Sequence, residues 1–364
     1  MVRYLSKTNP NALRGTALVR LDFNTEDDWR MRAVTPTIKF LLKTSDKMVM
    51  VSHRGRPIGV DKKFSLKKNA ATLSRLLGRK IIFLDGFNFV AIKKKIVQAP
   101  RGSVFLLENL RFNPGEEKND PKFAKQLASL ADFYVNDAFA VDHRANASIV
   151  AVTKFLPSYA GLELEKEIQF LSKVIRGVKH PMVFIVGGAK AADKLAAIKF
   201  FKNKADWFLL GGGPANTILA LEGMDVKKSV RDTDPKDIKE MRSFSESKKI
   251  IMPVDFRWHG DAIWDIGPES AAMFAKKIAA ARTILWSGPL GFIEKPAYAR
   301  GSVAIAKAVV KNRKALSVTG GGETVMFLKK YKLDKKFSFI STGGGAMIDF
   351  LAGKKLPGIV ALDK

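Results

Sequence analysis

Short apolar runs recur along the chain, each stopping at a turn or a polar cluster. In order they are TALVRLDFN, KMVMVSHRG, KIIFLDG, SVFLLENLRF, DFYVNDAFA, PMVFIVGGAK, DWFLLGGG, KIIMPVDF, TILWSGPLG, ALSVTGGG and FSFISTGGG. Between them lie segments of helical period: PTIKFLLK, LKKNAATLSRLL, PKFAKQLASL, AADKLAAIKFF, PKDIKEMRSFSES, ESAAMFAKKIAAA and GSVAIAKAVVKN. A strand buried on both faces reads as a continuous apolar run, and alternation with amphipathic helices predicts parallel sheets covered on both sides. Eleven strands exceed one typical sheet, so the pattern predicts two doubly wound, Rossmann-like α/β domains. The segment SYAGLELEKEIQFLSKVIRG reads as a helix joining them.

The residues at the strand ends differ between the halves. Up to about residue 160 the strand ends carry Asp22, Asn24, His53, Arg56, Glu108, Arg111, Asn136 and Asp137. From about residue 180 they carry glycine, in GGAK, GGGPANT, SGPLG, GGGET and TGGGAM. Ligands of open α/β sheets bind beyond the carboxyl ends of the strands. The first half therefore presents an arginine-lined mouth and the second a glycine-lined one. The run KMVMV ending in SHRGRP sharpens the point: charged side chains at the end of a buried strand are costly unless an anion meets them.

Composition narrows the chemistry. The chain of 364 residues is 46% hydrophobic and 27% charged, an ordinary globular balance for one large or two medium domains. It has no cysteine and four dispersed histidines, which argues against disulfides and a zinc site and fits a reducing cytoplasm. The first residues lack the apolar core of a secretory signal, and no run approaches a membrane span. Lys and Arg number 63 against 35 Asp and Glu, a formal net charge of +28. The lysines read as spread along the chain, as on an enzyme of anionic substrates; a nucleic-acid or anionic-membrane partner is the competing reading.

Arg56, Arg111 and Arg144 each follow an apolar strand, and Arg30 precedes the helix begun by Pro36. Guanidinium forks suit phosphate and carboxylate, so this edge suits a small, multiply anionic ligand. In the second half no loop fits the Walker pattern or the dinucleotide fingerprint. Gly187 and Gly188 nevertheless lead through Ala189 and Lys190 into a helix bearing Lys194. Two ammonium groups then share one face at a helix N-terminus, which already favours anions. Gly320, Gly321, Gly322, Glu323 and Thr324 form a second such turn, with a carboxylate suited to Mg²⁺. Two sites in two domains, one for a phosphorylated acid and one for a nucleoside polyphosphate, make a closing kinase.

The motifs RLDFN, SHRGRP, LLENLRFNPGEEKND, YVNDAFAVDHRANAS, GGAKAADK, GGGPANT, DIGPES, WSGPLGFIE, GGGET and STGGGAMIDFLAGKKLPG, in this order, resemble the phosphoglycerate kinase family from about residue 16 to the C-terminus. The resemblance implies an N-terminal phosphoglycerate-binding domain over 1–160, a hinge helix over 161–178 and a nucleotide-binding domain over 179–345. Residues 346–364 would return to the first domain. It implies a cytoplasmic, monomeric enzyme that moves the acyl phosphate of 1,3-bisphosphoglycerate to Mg-ADP, giving 3-phosphoglycerate and ATP. Asp22, Asn24, Arg30, His53, Arg56, Arg111 and Arg144 would hold the phosphoglycerate, and Arg30, Lys190 and Lys194 would act on the moving phosphoryl group. Gly187, Gly188, Lys190, Lys194, Gly211, Gly212, Gly213, Ser287, Glu294, Gly321, Gly322, Glu323 and Thr324 would bind the nucleotide, Glu323 with Mg²⁺ and Glu294 at the ribose.

Five features depart from the family pattern. Glu323 replaces an aspartate, Ser287 an asparagine, Asn146 a histidine and Arg54 an apolar residue, and the acids of DFNTEDD replace valine-proline. Two alternatives accompany the kinase reading: a non-catalytic nucleotide-binding protein on the same fold, and a kinase that also binds nucleic acid.

Overall fold

The computed structural model of the chain describes residues 1–190 and 192–363. It divides into two compact units, Met1–Gln169 with Lys355–Lys364, and Phe170–Lys354.

The first unit runs through β1 (Thr16–Leu21), α1 (Trp29–Ala33), α2 (Thr35–Thr44), β2 (Lys47–Val51), α3 (Lys67–Leu77), β3 (Ile82–Leu84), α4 (Phe89–Gln98), β4 (Val104–Leu107), α5 (Pro121–Ala128), β5 (Phe133–Asp137) and β6 (Ser158–Ala160). Helix α6 (Leu162–Arg176) follows, and the division between the units falls within it. The six strands are parallel, in the order β3-β4-β2-β1-β5-β6. Leu18 pairs with Val49 on one side and Tyr134 on the other, so the middle strands are walled in by neighbours. Met48, Val49, Met50 and Val51 are buried, as their unbroken apolar run requires. Helix α5 begins where Pro121 sits at a first-turn position that needs no donor, and the Asp120 carboxylate accepts from the Lys122 N–H at 2.7 Å.

The second unit runs through β7 (Met182–Val186), α7 (Ala192–Phe201), β8 (Trp207–Leu210), α8 (Gly212–Leu221), α9 (Pro235–Ser245), β9 (Ile250–Ile251), β10 (Phe256–His259), β11 (Ala262–Ile266), α10 (Pro268–Ala280), β12 (Thr283–Ser287), α11 (Arg300–Lys311), β13 (Leu316–Gly320), α12 (Gly322–Lys330), β14 (Phe339–Ser341) and α13 (Gly345–Leu351). Its parallel sheet has the order β14-β13-β12-β7-β8-β9, and β10 and β11 form a separate antiparallel hairpin. The core gathers Val183, Ile185, Ile284 and Trp286 from the strands with Phe274 and Ile305 from the helices.

One boundary differs from expectation. The return to the first unit begins at Lys355 rather than at 346, because α13 packs against α7 within the second unit. Only the last helix, α14 (Pro357–Leu362), packs against β6 in the first. Among the described residues no helix is long and apolar enough to cross a membrane.

Candidate active site

In parallel sheets every carboxyl end lies on one edge, so β1, β2, β4 and β5 deliver their trailing residues together. Asp22 follows β1 and is buried; its Oδ2 lies 2.6 Å from Arg30 Nη1, and its Oδ1 accepts from the Asn24 N–H at 2.8 Å. Burial pushes the Asp22 carboxyl up, but Arg30, the Asn24 N–H and Arg20 oppose it, and the carboxyl lies below the usual carboxylate range. His53 follows β2 and is also buried. Burial, opposed by Asp22 and reinforced by Arg20, Arg111 and Arg144, pushes its imidazole well below the ordinary range, so the ring is neutral.

The arginines are anchored differently. Arg111 is buried beyond β4; its Nη1 donates to the Gly55 carbonyl and its Nε lies 3.1 Å from Glu117 Oε1. Burial lowers its pKa, with the other arginines adding and Glu117 opposing. Arg144 is half-buried and donates from Nε to His143 Nε2 at 3.2 Å, while Arg56 is exposed. Asn24 Oδ1 accepts from the Gly55 N–H at 2.8 Å, tying the loop after β1 to the loop after β2. Asp22, Asn24, Arg30, His53 and Arg111 are thus joined through hydrogen bonds, ion pairs or close charges.

Two departures from the family pattern meet here. Arg54 Nη2 lies 3.1 Å from Glu26 Oε2, so the extra cation and one of the extra acids partner each other. A second added acid, Asp28, pairs with Arg32 one helical turn on, at 2.7 Å.

Three strand-end groups have structural partners. Glu108 accepts from the Leu66 and Asn109 N–H groups at 2.9 and 2.7 Å and from Ser65 Oγ at 2.7 Å, fixing the loop that carries Arg56. Asn136 Nδ2 donates to Asp142 Oδ1 at 2.7 Å, and Asp137 Oδ1 accepts from the Leu164 N–H at 2.9 Å, at the start of α6. Burial raises both Asp137 and Asp142 to about 7, against the hydrogen bonds they accept.

In the second unit the backbone forms the site. The Gly187 N–H donates to Ser287 O at 2.9 Å, Gly188 N–H to Pro289 O at 2.7 Å and Gly213 N–H to Gly188 O at 2.9 Å. These approaches exclude side chains: a Cβ on Gly213 would lie 2.0 Å from Ala189 O, and one on Gly187 2.2 Å from Pro289 O. Gly321 has φ +96°, a conformation open to glycine, and turns β13 into α12.

A cleft of about 350 Å³ lies on this edge, with Gly188, Gly212, Gly213, Glu294 and Glu323 among its lining. Lys194 Nζ donates to Lys190 O at 3.1 Å and lies beside Gly188, while Lys190 is exposed. Glu323 is exposed in the first turn of α12; Thr324 beside it and Ser287 at the end of β12 are buried and absent from the lining. Gly211 lies beneath, its N–H donating to Val186 O at 3.0 Å.

Several site residues escape the sequence reading. Trp264 and Phe292, with ring centroids 4.8 Å apart, form an apolar wall of the cleft. Asp265 lies against the same cleft, 1% exposed, and accepts from the Gly301 and Ile266 N–H groups at 2.7 and 2.9 Å. Burial raises it to about 7, opposed by those two N–H groups and Arg257. In the first unit Arg20, Glu116 and Ser148 form a buried network behind His53. The available signal was one charged residue inside an apolar strand, in TALVRL and in AIWDI.

Comparison with known proteins adds to this geometry. The family model described as phosphoglycerate kinase matches residues 13–354. A curated phosphoglycerate kinase of Dictyoglomus turgidum is 40% identical over 374 residues, covering 95% of this chain and 94% of that one. A cytosolic phosphoglycerate kinase of Triticum aestivum is 41% identical over 363 residues, covering 93% and 90%. Among solved structures, phosphoglycerate kinase from Coxiella burnetii aligns with TM-score 0.82 at 32% identity, covering 100% and 99%. That from Pyrococcus horikoshii aligns with TM-score 0.88 at 30% identity, covering 100% and 98%.

Proposed function

The chain belongs to the phosphoglycerate kinase family, and from that premise we propose how its two edges divide the transfer of an acyl phosphate between 1,3-bisphosphoglycerate and ADP. The observation that carries the reading is the contrast of the edges: anchored cations on one sheet, a glycine-walled cleft on the other. In this reading Asp22, Asn24, Arg30, His53, Arg56, Arg111 and Arg144 hold the phosphoglycerate. The glycine turns, Lys190 and Lys194 hold the nucleotide phosphates, and Glu294 the ribose. The acyl carboxylate is a weak base as a leaving group, so no general base is assigned. The protein positions the reactants and neutralises charge on the equatorial oxygens through Arg30, Lys190 and Lys194.

Mg²⁺ fits the donor set as a partner of the phosphates. Glu323 supplies one carboxylate to the cleft, and among the described residues no group of three or more His, Cys, Asp or Glu is arranged to hold a metal alone. When bound, the ion would offset phosphate charge.

A coupled assay of ATP-dependent 3-phosphoglycerate phosphorylation tests the reading. Turnover is expected with excess Mg²⁺ and is expected to fall by about 10²–10³-fold in Lys190→Ala, the scale of losing one charge-stabilising donor. ATP binding without turnover in the unaltered protein would instead favour a non-catalytic nucleotide-binding protein.

The alternative of a kinase that also binds nucleic acid has its own test, since part of the positive charge is gathered in one stretch of the first unit. Residues 54–101 hold thirteen Lys and Arg against only Asp61 and Asp85. Of the thirteen, Arg54 and Arg101 alone have an ion-pair partner among the described residues. Retention on DNA or RNA that weakens steeply with salt would support this second activity; retention no stronger than that of a variant with Lys93, Lys94 and Lys95 replaced by Gln would reject it.

A further inference from the structure

Arg20 lies inside β1 and is 1% exposed. A cation there needs fixed partners, and it has them on every side. Its Nε donates to Ser148 Oγ at 2.9 Å, and its Nη1 donates to the Leu21 carbonyl. Glu116, fully buried, lies 4.0 Å from Nη2 and is held by Ser148, whose Oγ and N–H donate to its carboxylate at 2.6 and 3.0 Å. The remaining contact of Nη2 is His53 Nδ1, at 3.2 Å.

A guanidinium carries donors and no acceptor. The His53 nitrogen facing it must therefore offer its lone pair. The one acceptor that could draw a proton onto Nδ1 is Asp22 Oδ1, 3.9 Å away and beyond hydrogen-bond reach. The charged groups acting on the ring are Asp22, Arg20, Arg111 and Arg144, three of the four cationic, and burial acts in the same sense as those three. A neutral ring that accepts at Nδ1 carries its proton on Nε2. Among the described residues no protein hydrogen bond engages Nε2.

We propose that Arg20 is a positioning residue that fixes the tautomer of His53, making it a neutral Nε2–H donor toward the anionic substrate of the first unit. This deepens the reading that this edge holds phosphoglycerate and rests on it. His53 then contributes direction without charge, and its donor role is indifferent to pH where a free histidine would titrate. The cations of the site are the arginines alone.

The test is nitrogen NMR of the full chain with ¹⁵N-labelled histidine. Only four histidines are present, and His53→Gln assigns the signal. The expected result is an Nε2-protonated ring whose pattern does not change between about pH 5.5 and 8.5, a window that spans the ordinary histidine pKa. A ring protonated on Nδ1, or one that titrates in that window, overturns the proposal without any Arg20 variant having to fold. Arg20→Lys keeps the charge and loses the fork. It is expected to give mixed tautomers and to raise KM for 3-phosphoglycerate about tenfold, the loss of one hydrogen bond to a charged group, with KM for ATP little changed. In the Arg20→Lys background, His53→Gln should add little; a full additional loss would overturn the coupling. If the unaltered ring shows the expected tautomer and 3-phosphoglycerate leaves the Nε2 signal unmoved, the substrate reading of this edge fails while the tautomer assignment stands.

Discussion

At the carboxyl edge of the first sheet, side chains converge: Arg30 and His53 close on Asp22, and Arg111 reaches across to Gly55. At the corresponding edge of the second sheet the backbone itself closes up, with Gly187, Gly188 and Gly213 donating to carbonyls of neighbouring turns. The first design holds charge in place by burying it among opposite charges and hydrogen bonds. The second clears space so that a large ligand can approach N–H groups and helix N-termini. A small acid carrying a phosphate and a carboxylate suits side-chain forks, whereas a nucleotide needs area and tolerates few side chains near its phosphates. The comparison predicts that substitutions at the two edges fail in different ways.

The largest effect is expected at Arg30. Its removal leaves Asp22 buried with its closest cation gone, so the mouth loses both a donor and its internal balance. Arg30→Ala should lower kcat by about 10²–10³-fold, the scale of losing one charge-stabilising donor, while calorimetric ATP affinity changes less than about twofold. Equal losses in turnover and ATP affinity would mean that the two edges are not separable in this way.

The complementary break is Gly213→Ala. The added methyl meets a backbone carbonyl at 2.0 Å and cannot be relieved by a side-chain rotation. The loops around Gly188 must separate, and ATP affinity is expected to fall about tenfold or more, roughly one hydrogen bond to a charged phosphate. Binding of 3-phosphoglycerate should be unaffected. Weaker phosphoglycerate binding with intact ATP binding would reverse the assignment of the edges.

Buried carboxyls sharpen the contrast through pH. Asp142 sits behind the first mouth, raised by burial from the ordinary 3.8 to about 7, with Asn136 and Arg20 opposing. A carboxyl raised on folding favours the native state in its protonated form. Its contribution is complete below the unfolded pKa and is lost as pH climbs through about 7. Unfolding free energy should therefore decline from about pH 4 to 7, by up to about 1.4 kcal/mol per pH unit for each such group. Asp142→Asn keeps the acceptor for Asn136 Nδ2 and replaces Oδ2, which has no hydrogen-bond partner among the described residues. Denaturant titrations across this range should give a flatter profile for the variant and greater stability than the unaltered chain at pH 8. A slope unchanged by the substitution would place the Asp142 titration outside this range.

Eleven strands of the two sheets were legible as apolar runs, and the eight inner ones most clearly, because burial on both faces leaves an unbroken run that few other elements produce. Strand β6 is three residues long after Pro157, too short for a period. The hairpin β10–β11 is partly exposed, mixes Arg257, Trp258 and His259, and breaks register between Arg257 and Trp258, so neither a run nor an alternation appears. Helix α8 opens with glycines and proline and is buried almost all round, which erases the polar face. In α4, exposed Val90 and Val97 blur the stripe of Phe89, Ile92 and Ile96. Among site residues, arginines past strand ends announced themselves by cost. Arg20, Glu116 and Asp265 did not, because their partners lie far away in sequence or are backbone N–H groups.

The smallest effect probes a departure from the family pattern. Arg54 and Glu26 depart together from the family pattern and face each other at 3.1 Å, linking the loops after β2 and β1. Glu26 is 84% exposed, so water and salt screen the pair and its contribution to folding is slight. Its position matters more than its strength, because the same two loops carry Asn24 and Arg56. Removing the acid frees a cation beside the mouth, and removing the cation leaves an acid near an anionic ligand. Glu26→Gln should lower KM for 3-phosphoglycerate and Arg54→Ala should raise it, each by about two- to threefold at low salt, consistent with an exposed pair. Both shifts should fade as ionic strength rises, while KM for ATP stays fixed. If the two substitutions move KM in the same direction, the pair acts by ordering the loops rather than by balancing charge at the first mouth.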